Sequence, residues 1–123
     1  EAIVMTQGIN DAIVPTTNTE IPRPYSWPWG AKSFIEASRY ILGKPNLPVI
    51  WNGFPANFLS YPSWDLIQEF ITRLPSDIAN VASVSCVDLP TNAQTLAEYK
   101  HFSAASCHTM GIRDAEALAE LIL

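Results

Sequence analysis

The part of this chain that most restricts its fold runs from residue 47 to residue 89, where two β-type stretches flank an amphipathic helix. "LPVIWNGFP" reads as a buried strand closed by the turn formers Asn52, Gly53 and Pro55. "SWDLIQEFITRLP" starts on Ser63 as an N-cap, aligns Ile67, Phe70, Ile71 and Leu74 on one face, and stops at Pro75. "NVASVSCVDL" is β-rich again, through Val81, Val84 and Val87. A strand, a helix and a strand at this spacing argue for parallel neighbours, because a parallel pair needs a crossover and a helix supplies it.

The same alternation extends outward. Two short β-branched runs, residues 2 to 6 and 12 to 14, are separated by the turn-prone Gly8, Asn10 and Asp11; they predict either a hairpin or an extended arm followed by a strand, with the second run the better strand. "IPRPYSWPWG", with three prolines, predicts an irregular connection. "AKSFIEASRYILG" then places Phe34, Ile35, Ser38, Ile41 and Leu42 on one helical face, with Ser33 and Glu36 at capping-box spacing and Gly43 as a stop. "TNAQTLAEYKHF" predicts a further helix, capped by Thr91 and Gln94, with Leu96, Tyr99 and Phe102 inward. "SAASCHTM" is read as a final strand of small residues, after which Asp114 caps a terminal helix with Leu118, Leu121 and Ile122 inside. The expected fold is α/β: a mostly parallel sheet with helices on both faces, forming a single lobe.

At 123 residues with 48% hydrophobic content, one compact domain is expected. The formal charge of -5 comes from acidic and basic residues spread singly, so no basic cluster is available to neutralise a phosphate backbone, and no nucleic-acid partner is expected. The apolar runs are too short to span a membrane as a helix, and no membrane partner is expected. The chain begins at Glu1 and stops inside the helical pattern "DAEALAELIL", which predicts a processed or truncated half of something larger.

Ligands of parallel α/β sheets bind beyond the carboxyl ends of strands. That rule selects Thr16, Thr17 and Asn18, then Asn52 and Gly53, then Cys86 through Thr91 and Asn92, then His108 and Thr109. Cys86 has two readings. At a strand end just before a helix start, its thiolate would be stabilised by the helix dipole and serve as a nucleophile or proton carrier. Alternatively it is a small buried side chain, which is common for free cysteine. A bridge between Cys86 and Cys107 is a further alternative, and the redox compartment stays open. Cys107 and His108, adjacent on a strand, would point to opposite faces. The spacing of His101 and His108 matches no zinc signature, so no metal is expected. The tryptophans, with most of the other aromatics, lie between residues 25 and 64; they either form a platform for sugar rings or a partner, or cover the core beneath irregular loops. "PTTNT" offers hydroxyls and an amide for a carboxylate, or simply caps a turn.

Taken in order, "AIVPTTNTEIP", "LPVIWNGFP" with "YPSWDLI", "VASVSCVDLPTN" and "ASCHTMGIRDAEALAEL" resemble the first lobe of the aspartate/glutamate racemase superfamily, which includes maleate isomerases and arylmalonate decarboxylases. The resemblance implies a cofactor-independent racemase, isomerase or decarboxylase acting on a small carboxylic acid. It implies that Thr17 and Asn18 help bind a carboxylate, that Cys86 is the first of two facing thiols, and that the segment from Leu89 to Asn92 supplies backbone amides to the anion. The second thiol would come from a second lobe or a second copy of the chain. The alternative is a non-catalytic interaction or ligand-binding module built on the aromatic segment, residues 24 to 64.

Overall fold

The computed structural model describes residues 1–13, 23–57, 60–92 and 101–123. Three strands, β1 (Ile3–Met5), β2 (Val49–Asn52) and β3 (Val81–Val84), form a parallel sheet in the order β1-β2-β3. Ile3 pairs with Val49 and Met5 with Trp51; across the other edge of β2, Val49 pairs with Val81 and Asn52 with Val84. The expected α/β class and parallel sheet are those observed.

Alternation along β2 divides the core in two. Val49 and Trp51 face one layer, made by α1 (Ile9–Ala12), α2 (Arg23–Ile41) and α3 (Trp64–Asp77). Trp27, Ala31 and Ile35 enter it from α2 at intervals of four, and Ile67, Ile71 and Leu74 enter it from α3. Ile50 faces the opposite layer, made by α4 (Ala104–Ile122) and the loop after β3, where Val84, Cys86 and Leu89 meet Met110, Leu118 and Leu121. Each fully buried aliphatic chain contributes roughly 1.5–3 kcal/mol, so the two layers clamp the short sheet from both sides.

Four local expectations are corrected. The amino-terminal hairpin does not form: the first β-branched run is the strand and pairs parallel with β2, while residues 9–12 are helical. A three-residue strand beside the buried Val49 and Trp51 gains more from joining the sheet than from a two-stranded ribbon. The proline-rich segment is helical from Arg23, with Pro28 inside α2, because burial of Trp27 and Ala31 outweighs one lost backbone bond. α3 likewise runs past Pro75 to Asp77. "SAASCHTM" is the first half of α4 rather than a strand: alanine favours helix, and Ser103 caps it, its Oγ accepting from the Ser106 amide at 3.2 Å. Asp114 therefore lies in mid-helix and caps nothing. The helix expected after Thr91, including Leu96 and Tyr99, falls largely outside the described residues; its flanks are joined by an antiparallel bridge between Thr91 and Phe102.

Candidate functional site

The carboxyl ends of β1, β2 and β3 bring Thr6, Asn52 and Cys86 to one rim of the sheet. Asn52 is the last residue of β2 and is fully buried on the α4 side. Its Nδ2 donates to Thr6 Oγ1 at 3.2 Å and to Asp114 Oδ2 at 3.3 Å. Asp114 reaches the rim because it occupies the inward stripe of α4, one turn beyond Met110 and one turn before Leu118. The contacts leave Asn52 Oδ1 and Asp114 Oδ1 buried without a hydrogen-bond partner among the described residues. Each such orphan costs about 1–3 kcal/mol relative to a satisfied group. Burial accordingly raises the Asp114 carboxyl above the usual range, and the Asn52 amide only partly opposes it.

Cys86 lies two residues past β3, fully buried among Ile50, Val84 and Leu89, with its thiol directed to the Val84 carbonyl at 3.6 Å. Burial pushes the thiol up to about 11; the Asp114 carboxylate pushes the same way, and Arg113 and the Gly53 amide oppose them. It is therefore protonated near neutral pH. Arg113 is committed elsewhere, donating to both carboxylate oxygens of Asp88 at 2.8 and 2.6 Å and to the Ser85 carbonyl at 2.8 Å. That fork pins the loop after β3 to α4 and holds the Asp88 carboxyl down at about 2.

Gly53 fills a local packing role. Its amide donates to the Val84 carbonyl at 2.8 Å, and an added Cβ would lie 2.7 Å from Gln68 Nε2. Gln68 crosses this gap so that its Oε1 can accept the Phe54 amide at 2.7 Å.

Of the residues selected by the strand-end rule, the structure joins Asn52, Gly53 and Cys86 at one rim. Thr16, Thr17 and Asn18 lie outside the described residues. Thr91 is half-buried in its bridge to Phe102, and Asn92 is exposed with its amide given to the His101 carbonyl at 2.8 Å. The Leu89 amide is given to the Cys86 carbonyl at 3.0 Å, so neither of these two amides points outward to receive an anion. His108 and Thr109 are corrected: both sit within the first turns of α4 rather than at the end of a strand, and His108 is exposed. Cys107 is exposed and Cys86 buried, both as free thiols, so the bridge between them is not formed. Among the described residues, no three of His, Cys, Asp and Glu gather as a metal site. The residues that sequence reasoning passed over are Thr6 and Asp114. Asp114 carried a usable signal, a carboxylate at the apolar register set by Met110, Ala117, Leu118 and Leu121.

Fold and rim together define a small parallel α/β domain with a polar cluster at the carboxyl ends of its strands. No family model matches the chain, and neither does any curated protein. Among solved structures it is similar to a protein from Arabidopsis thaliana known from an X-ray structure, with a TM-score of 0.78 at 20% identity. The likeness covers 99% of this chain and 45% of that one, so this chain spans less than half of its length. At that identity the likeness shows the fold alone.

Proposed function

We propose that this domain binds a small hydrogen-bond-donating molecule at the Thr6, Asn52 and Asp114 rim, without chemistry at Cys86. The observation that carries this is the pair of buried acceptors without a partner among the described residues, Asn52 Oδ1 and Asp114 Oδ1. An alcohol or ammonium group supplies the donor that both lack, and a carboxylate supplies none. A carboxylate would also meet the charge of Asp114, whereas the neighbouring Arg113 already holds Asp88.

Titration of the 15N-labelled chain with three-carbon probes differing only in head group tests this. Propan-1-ol and propylammonium are expected to shift the Asn52 side-chain amide and the backbone amides of Thr6 and Asp114, while propionate leaves them in place. Shifts with propionate alone would defeat the proposal.

A second reading follows from the place of Cys86 at the end of β3, near enough to Asp114 for the carboxylate charge to act on its thiol. In that reading the domain is a racemase-, isomerase- or decarboxylase-like half. Cys86 transfers a proton to or from a small carboxylic acid, and a second lobe or second copy faces it. It requires Cys86 to ionise against its burial, so rapid modification of the native Cys86 thiol near neutral pH would favour it over the binding module.

A further inference from the structure

On the opposite face of the sheet from Asn52, a groove of about 540 Å³ opens between the end of β1 and α2. Its walls include Met5, Gln7, Asp11, Trp27, Phe34 and Trp51. The Trp27 and Phe34 rings stand at 78° and 87° to the ring of Trp51, with centroids 5.3 and 6.4 Å away. Trp27 and Phe34 thus each meet Trp51 edge to face. Trp51 is fixed by its indole N–H, which donates to the Gln7 carbonyl at 3.2 Å, and Trp27 and Trp51 are otherwise buried. Phe34 is 41% exposed on the open side. The groove is therefore preorganised where it is aromatic, and binding there costs little side-chain ordering.

Gly8 makes this close approach feasible. Its φ of 118° is one that side-chain-bearing residues rarely adopt, and an added Cβ would lie 2.9 Å from Trp27 Nε1. Asp11, in the single turn of α1, contributes the carboxylate. Among the described residues no cation pairs with it. A carboxylate with no cation partner among the described residues, lining one groove with three aromatic rings in a chain of net charge -5, is complementary to positive charge.

We infer that the groove formed by Trp27, Phe34, Trp51 and Asp11 is a binding site for a small organic cation bearing a methylated ammonium. The open Phe34 ring attracts such a head group without hydrogen bonds, the methyl groups fill apolar space against the tryptophans, and Asp11 neutralises the charge. A strongly hydrated metal ion finds too few oxygen ligands here, and a neutral apolar molecule leaves Asp11 unanswered.

The test uses the intact chain with choline as probe and 3,3-dimethylbutan-1-ol as its uncharged isostere, followed by tryptophan fluorescence and calorimetry. Choline is expected to bind saturably and at least about tenfold more tightly than the isostere. Asp11→Asn and Phe34→Leu, each shown folded by an unchanged amide spectrum, are each expected to weaken choline about fivefold. Absence of saturable binding, equal affinity for the isostere, or full affinity in both variants would each overturn the inference. The amides that report here, Asp11 and Gly30, differ from those of Thr6, Asn52 and Asp114, so this site and the strand-end rim succeed or fail separately.

Discussion

The side-chain amide of Asn52 donates to Asp114 Oδ2 at 3.3 Å, yet one side-chain oxygen of each residue stays buried with no partner among the described residues. The pair links the middle strand to α4 across the sheet face. It also stores an electrostatic cost, because a carboxylate there has one amide bond where water would provide several.

Asp114→Asn is expected to stabilise the domain. The folded carboxyl is raised above its unfolded value, so the folded state holds its proton more firmly. Wild-type stability therefore declines as pH rises from the ordinary carboxylate range through the higher folded value, and the variant lacks this decline. A gain of about 1 kcal/mol or less near neutral pH, vanishing in acid, is expected in denaturant melts.

The two thiols should separate kinetically. Cys86 is fully buried with its ionisation pushed up to about 11, whereas Cys107 is exposed on α4. A disulfide reagent near pH 8 is expected to modify Cys107 alone in the native chain, and both thiols in denaturant. Mass spectrometry of the labelled peptides reads the result; labelling of Cys86 without unfolding would contradict it.

Gly8→Ala is expected to cost about 2 kcal/mol or more. The substitution meets both a positive φ of 118° and contacts of 2.9 Å to Trp27 and 3.0 Å to Phe54. Gly30→Ala, where a Cβ meets nothing within 4 Å, is the control and is expected to be neutral or stabilising. Thermal melts of the two variants should diverge accordingly.

The Asp88 and Arg113 fork predicts an acid dependence of opposite sign to that of Asp114. Its folded carboxyl is depressed to about 2, so its contribution is complete above the unfolded value and is lost as pH falls from about 4 toward 2. Asp88→Asn should melt earlier than wild type near neutral pH, with the gap closing across that window. A gap that is constant with pH would show that the pair contributes nothing through its charge.

Legibility in the sequence followed the scale of the signal. The βαβ unit around α3 was plain because Ile67, Ile71 and Leu74 repeat at helical spacing between two β-branched runs. The rim residues Asn52, Gly53 and Cys86 were plain because strand ends mark them. His108 was misplaced for a corresponding reason: "SAASCHTM" carries small residues with no clear period, so local pattern did not separate a tight strand from an alanine-rich helix.

By itself, then, the sequence determined the class of the fold, since the period of its apolar residues dictates which segments are strands, which are helices, and that the strands run parallel. Tertiary structure alone decided the chemistry of the site. Whether Cys86 is a reagent depends on the burial and charge around its sulfur, and these come from Ile50 and Asp114, 36 residues before it and 28 after. Charge and desolvation act through space, and only folding brings Asn52 within hydrogen-bonding reach of both Thr6 and Asp114.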